Sequence, residues 1–180
     1  MVYSKMEIYL PSEDSFLLSE FVKKEIEKNK PIKVLDMGSG SGIQAEACIS
    51  AGIAEKDLTL ADINKKAISH LKLKFPRSKI ILSDLFSKIP GYAKFDLILF
   101  NPPYLPDSKF DKQPDTSGGK KGSSVINEFL ERAKLYLNKN GKILLITSNL
   151  TKNINWQNYN RELLGKKRIF FEELYVWELS

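Results

Sequence analysis

Apolar and polar positions along this chain keep changing period. Short apolar runs occur at Lys33-Val34-Leu35-Asp36-Met37, Leu58-Thr59-Leu60-Ala61, Lys79-Ile80-Ile81-Leu82, Phe95-Asp96-Leu97-Ile98-Leu99-Phe100 and 142–148. Each has strand length and is rich in branched or aromatic side chains, so each is read as a buried strand. Between them the apolar positions take helical spacing. Phe16, Leu17, Phe21, Val22 and Ile26 predict a first helix, with Ser12 as its cap and Glu13 and Asp14 suiting its positive end. Ala45, Ala47 and Ile49 predict a short helix stopped at Gly52, and Ile68, Leu71 and Phe75 one that Asn64 caps and Pro76 ends. A further helix is expected over 124–137, followed by an Asn140-Gly141 turn. Strands alternating with helices predict an α/β fold, a mostly parallel sheet covered on both faces. In the tail, Ile169-Phe170-Phe171 and Leu174-Tyr175-Val176-Trp177 look like strands. Glu172-Glu173 is poor chemistry for a two-residue turn between them, so their pairing stays open.

The chain has 180 residues, one domain's worth, and a domain of that size buries about 70% of the surface its unfolded chain exposes. Its single cysteine, Cys48, excludes an internal disulfide and a cysteine-built zinc site. No basic-then-apolar leader occupies the first ten positions and no run of about 18 apolar residues exists, so a cytoplasmic protein that spans no membrane is expected. The net charge is +6, but the lysines are scattered as pairs among many acids. That is mostly a solvated surface, which weakly favours an acidic partner.

Chemistry concentrates at the predicted carboxyl ends of the strands, where open α/β sheets bind ligands. After Phe100 comes Asn101-Pro102-Pro103-Tyr104. Successive prolines hold the Asn101 side-chain oxygen and the free Pro102 carbonyl in rigid, extended backbone, making a socket for a planar NH2 group. After Leu35 comes Asp36-Met37-Gly38-Ser39-Gly40-Ser41-Gly42, a strand-to-helix turn whose glycines let a ligand approach the backbone. It is not a dinucleotide fingerprint, because Ile43 stands where the last glycine belongs, and it lacks the Gly-Lys-Ser/Thr of a phosphate loop. Asp36 would repel a pyrophosphate and suit an ammonium group. Asp62 would accept from ribose hydroxyls, and Asp84 from an exocyclic amine to whose ring Leu85 donates its backbone N–H. Adenine, ribose, sulfonium and amino acid together describe S-adenosylmethionine.

Tyr9-Leu10-Pro11-Ser12-Glu13-Asp14-Ser15-Phe16, the 36–42 turn, Asp62, Ser83-Asp84-Leu85-Phe86 and Asn101-Pro102-Pro103-Tyr104 resemble the HemK-type protein glutamine methyltransferases of the short archaeal and eukaryotic branch, from Tyr9 to Ser148. The resemblance implies a Rossmann-like class I methyltransferase fold of about six to seven strands, with residues 1–180 a single domain whose 1–30 segment contributes to the cofactor site. The extra amino-terminal helical domain of bacterial relatives is expected to be absent. It also implies methylation of the side-chain amide nitrogen of the glutamine in the Gly-Gly-Gln motif of a class I release factor. Tyr9, Ser15, Asp36, Gly38, Gly40, Asp62, Ile63, Asp84, Leu85 and Asn101 are the expected cofactor contacts. Asn101, Pro102 and Tyr104 are the expected catalytic residues, with Tyr104 packing on the substrate amide plane, and no metal ligands are expected. The family further implies a small zinc-ribbon activator beside Ile80-Ile81-Leu82, a strand that is independently expected at an open sheet edge. Leu10 replaces a common acidic residue, Ser123 and Ser124 replace a more usual charged one, and Thr116-Ser117-Gly118-Gly119-Lys120-Lys121-Gly122 lacks a neighbouring aromatic.

The alternative reading is methylation of an exocyclic amine of adenine or guanine in RNA or DNA, since the socket suits any planar amine. No recognition domain accompanies it. Only the loop over 105–122, long enough to be functional, and scattered lysines such as Lys120-Lys121 would supply nucleic-acid contacts. A non-catalytic scaffold is disfavoured by the intact Asn101 and carboxylates. His70 is expected on a solvated helix face, and Cys48, Trp156 and Trp177 are expected to pack.

Overall fold

The computed structural model describes residues 7–106, 122–156 and 158–180. Its helices are α1 (Glu13–Asn29), α2 (Ile43–Ser50), α3 (Lys65–Lys74) and α4 (Ser124–Ala133); its strands are β1 (Val34–Met37), β2 (Leu58–Asp62), β3 (Lys79–Leu82), β4 (Phe95–Phe100), β5 (Leu137–Ser148), β6 (Arg161–Ile169) and β7 (Glu172–Leu179). All seven strands form one sheet in the order β3-β2-β1-β4-β5-β7-β6. From β3 to β5 the pairing is parallel, and β7 pairs antiparallel with β5 and β6. The chain starts at the centre and winds first toward β3, then back past β1 to β4, so the switch point lies between β1 and β4. The expected fold class, mostly parallel with helices on both faces, is the one observed.

Alternation along the central strands divides the core into two layers. Val34, Leu97, Leu99, Leu144 and Ile146 face α1, α2 and α3 through Leu18, Val22, Ala45 and Leu71. Leu35, Ile98, Phe100, Ile143 and Leu145 face α4 through Ile126, Phe129 and Ala133. Because both faces are covered, the central strands are mostly apolar on both sides, broken only by single polar residues such as Asp36 in β1 and Asp96 in β4, which explains their visibility in the sequence.

Some local expectations are corrected. Ser12 occupies the N-cap of α1 but makes no side-chain capping bond. Phe16 is 56% exposed, and Leu18, fully buried, takes the core position in its place. The Asn140-Gly141 pair is not a free turn: it lies inside β5, opposite a register shift where Phe95 faces Leu137 and Leu97 faces Lys142. The β6–β7 turn falls on Phe170-Phe171, with Ile169 paired to Glu172, two residues earlier than a Glu172-Glu173 turn would place it. Trp156 and Trp177 pack with ring centroids 5.6 Å apart, and the Arg161 guanidinium lies 5.2 Å and 5.7 Å from their centres. Cys48 is buried as expected, and burial pushes its thiol up. His70 is half-buried, with Nε2 3.3 Å from the Ser41 carbonyl. The 105–122 loop lies outside the described residues except for Leu105, Pro106 and Gly122. Among the described residues no helix is long and apolar enough to cross a membrane.

Gly42 couples the ligand-facing turn to this core. It has φ +81°, and a Cβ there would lie 2.4 Å from the Phe75 ring and 3.0 Å from Leu71. Gly42→Ala combines a left-handed backbone cost of about 1–2 kcal/mol with overpacking of about 1–3 kcal/mol. A loss of roughly 2–4 kcal/mol in chemical denaturation is the expected outcome.

Candidate active site

The carboxyl ends of β1, β2 and β4 open onto a cavity of about 350 Å³, within the usual range for small-molecule sites. Its floor is the turn after β1. Gly38 and Gly40 adopt φ of +66° and +52° there, a region costly for residues with a Cβ. The turn is pinned to its neighbour strand: Gly38 and Ser39 donate backbone N–H bonds to the Ala61 carbonyl at 2.8 Å and 3.1 Å. Asp62, at the end of β2, accepts from the Gly40 N–H and the Asn64 N–H, both at 2.7 Å, which orients its carboxylate beside the turn. Asn64 in turn caps α3 by accepting from the Lys66 N–H.

Asp36 is the most demanding group in the site. It is 2% exposed, and its Oδ2 is enclosed without a hydrogen-bond partner. Burial, with Asp62 adding and the Ser39 hydroxyl opposing, pushes its pKa up to about 8. A buried carboxylate without a counter-charge is costly unless something cationic meets it. Asp36 borders the cavity, so a ligand ammonium group is chemically suited to the position.

Where β4 stops, Asn101, Pro102 and Tyr104 also border the cavity. Asn101 Nδ2 donates to Asp14 Oδ2 at 3.1 Å and to Ser15 Oγ at 3.4 Å. A carboxylate accepts and cannot donate, so this contact sets which way the amide points. Its Oδ1 is buried and unpartnered: an oriented acceptor without a donor. Asp14 also takes the Tyr9 hydroxyl at 3.2 Å, the Tyr104 hydroxyl at 3.3 Å and the Ser15 N–H at 2.6 Å. Burial first, then the Asp14 charge, raises Tyr9 to about 12, and the same causes push Tyr104 up, so both phenols stay protonated and serve as donors. Glu172, from the start of β7, borders the cavity as well. Its Oε1 is also enclosed and unpartnered, and burial, then Asp14, raises its carboxyl above the usual range while Ser148 opposes.

Of the residues proposed from sequence, Tyr9, Asp36, Gly38, Gly40, Asp62, Ile63, Asn101, Pro102 and Tyr104 border the one cavity. Ser15, Asp84 and Leu85 do not. Ser15 is buried behind Asp14, with its carbonyl accepting from Gln44 Nε2 at 2.9 Å. Asp84 is exposed and Leu85 half-buried at φ +40°, at the carboxyl end of β3 beyond Asp62. Sequence reasoning missed Asp14 as the hub, Gln44 and Glu172. Only Asp14 lay in a motif already singled out, where it was assigned to the helix dipole.

The chain is also similar to known proteins. Residues 2–167 match the model of the methyltransferase small domain family. A Methanocaldococcus jannaschii protein, named provisionally as a protein N5-glutamine methyltransferase, is 35% identical over 96% of this chain and 93% of its own length. A release factor glutamine methyltransferase of Borreliella burgdorferi is 33% identical over 77% of this chain, which spans about half (52%) of that relative's length. Among solved structures, Mtq2 in the E. cuniculi Mtq2–Trm112 complex, described as responsible for methylation of the eRF1 translation termination factor, superposes with a TM-score of 0.75 at 22% identity, covering 97% of this chain and 99% of that one. With the family model covering most of its length, the chain belongs to the methyltransferase small domain family, in its HemK-type group.

Proposed function

We propose that this protein transfers the methyl group of S-adenosylmethionine to the side-chain amide nitrogen of the glutamine in the Gly-Gly-Gln motif of a class I translation release factor. The observation that carries the reading is the Asn101 amide, turned by Asp14 so that its oxygen is left without a donor in a residue that borders the cavity. When bound, S-adenosylmethionine supplies an electrophilic methyl on its sulfonium. Asp36 would meet its ammonium end and Asp62 its ribose, in keeping with the enclosed Oδ2 of the first and the fixed carboxylate of the second.

The chain's own task is orientation. An amide nitrogen is a poor nucleophile because its lone pair is delocalised. Asn101 Oδ1 and the Pro102 carbonyl would accept the two N–H groups of the substrate carboxamide, holding the nitrogen in line with the methyl, while Tyr104 packs on the amide plane. Positioning of this kind supplies up to roughly 7–11 kcal/mol in well-oriented reactions. No strong base is required, since nitrogen that has gained a methyl and kept both hydrogens is a strong acid. The relatives named for glutamine methylation favour the same acceptor chemistry.

A protein partner at the β3 edge accompanies this reading. Among the described residues β3 pairs only with β2, Leu82 is 42% exposed, and Ile80 and Ile81 are half-buried. An apolar edge of this kind invites strand addition, and the Mtq2 neighbour is held in a complex with Trm112. We assign the edge to a small zinc-ribbon activator. Leu82→Lys, which places a charge on the edge, is expected to raise the solubility of the isolated chain and to weaken co-purification with the activator at least about tenfold. Pull-down at matched concentrations checks it.

The function is tested with labelled S-adenosylmethionine and, separately, release factor, tRNA, rRNA and DNA, with and without the zinc-ribbon partner, the label being located by mass spectrometry. Label on the Gly-Gly-Gln glutamine is expected. Label on a nucleobase alone would overturn the assignment in favour of exocyclic-amine methylation.

A further inference from the structure

The β6–β7 turn spends two aromatic residues where folding has no use for them. Phe170 and Phe171 close the hairpin between Ile169 and Glu172. Two-residue turns are normally closed by Gly, Asn or Asp, because left-handed backbone is cheap for them. Phe170 instead sits at φ +49°, a conformation that is strained for a bulky side chain. The two residues are 89% and 97% exposed, so neither ring is repaid by packing.

Their position gives the pair a use. The next residue, Glu172, borders the main cavity together with Asn101, Pro102 and Tyr104. With Asn149, Arg168, Phe171 and Glu173 it also borders an adjoining hollow of about 180 Å³. The base of the hairpin is held firmly to the end of β5: Glu173 N–H donates to Asn149 Oδ1 and Asn149 N–H to the Glu173 carbonyl, both at 2.9 Å. A fixed arm therefore carries two phenyl rings next to the acceptor end of the site. Its charge does not suit a phosphate backbone. Glu172 and Glu173 follow the rings directly, and the three cations before the rings are each set against an acid: Lys166 pairs with Glu173 at 3.2 Å, Lys167 pairs with Glu13, and Arg168 lies opposite Glu173 across the hairpin.

We propose that Phe170 and Phe171 are a docking platform for the polypeptide segment flanking the target glutamine of the substrate protein. The rings bind apolar side chains of that segment as the carboxamide reaches Asn101, with Glu172 beside them bordering both the cavity and the adjoining hollow. This rests on the glutamine-methylation reading of the same site.

The test compares the wild-type chain with Phe170→Asn/Phe171→Gly, each in complex with the zinc-ribbon partner and with a Gly-Gly-Gln release factor as substrate. The introduced pair favours the same turn, so the hairpin is retained and the thermal midpoint is expected to stay level or rise. The KM for release factor is expected to rise at least about tenfold, kcat to stay within about twofold, and S-adenosylmethionine affinity by calorimetry to be unchanged. An unchanged KM overturns the platform. So does a change in oligomeric state by light scattering or loss of the zinc-ribbon partner, which would assign the rings to a second copy or to the activator. A wild-type chain that leaves release factor unmethylated would instead sink the functional reading itself.

Discussion

Asn101→Ala is expected to lower methyl transfer by about two to three orders of magnitude, the usual loss when one preorganised polar contact to the reacting group is removed. S-adenosylmethionine affinity should change little, because the acceptor that is lost faces the substrate. The rate is read by single-turnover transfer of labelled methyl and the affinity by calorimetry. Asp14→Asn supplies a second arm. The Asn101 amide keeps its volume and backbone, but its Nδ2 group loses the carboxylate that fixes its direction. An amide at residue 14 can face Asn101 with either end, so about half the orientational preference disappears and the rate should fall by roughly tenfold or more. Full activity in Asn101→Ala would refute the acceptor role outright.

The second large effect concerns Asp36. Its carboxyl is raised from the ordinary 3.8 to about 8 by burial. A group whose folded pKa lies above its unfolded value gives stability that is complete below the unfolded value and is lost as pH rises through the folded one. The free protein is therefore expected to lose stability between about pH 4 and pH 8 on account of this group. Asp36→Asn removes the penalty: at pH 8 the variant should be the more stable by at least about 1.4 kcal/mol, the equivalent of one pKa unit, with the advantage shrinking as pH falls toward 4. The same substitution deprives a bound ammonium of its partner and should weaken S-adenosylmethionine binding by roughly a hundredfold. In the wild type, affinity should increase with pH up to about 8, since a cation selects the ionised carboxylate. Thermal melts and calorimetry across this range give both signs. A variant that is less stable and binds equally well would show that Asp36 is a structural acid only.

How much of this was legible in the sequence depends on whether the signal was local. The Asn-Pro-Pro-Tyr segment and the 36–42 turn state their own geometry, because proline and glycine fix or free the backbone where they stand. The central strands were visible because both faces are buried. Long-range partners were not. Asp14 and Asn101 are 87 positions apart, so nothing near either residue announces their contact. Glu172 reaches the cavity only through the antiparallel return of β7 against β5. Helical spacing offered both Phe16 and Leu17 for the core; packing kept Leu17, added Leu18 and left Phe16 largely in solvent. The Phe170-Phe171 turn was missed because it breaks the chemistry by which such turns are read, as residues serving a site rather than the fold often do. Asn140-Gly141, a strong turn signal, was absorbed into an irregularity of β5 because the flanking residues still pair with β4.

The most direct measurement is a crystal structure of the protein with S-adenosylhomocysteine and a Gly-Gly-Gln peptide. The glutamine carboxamide nitrogen should lie about 3 Å from both Asn101 Oδ1 and the Pro102 carbonyl, facing the sulfur, with the ammonium end against Asp36. A homocysteine end lodged away from residue 101, or a carboxamide bound elsewhere, would contradict the account.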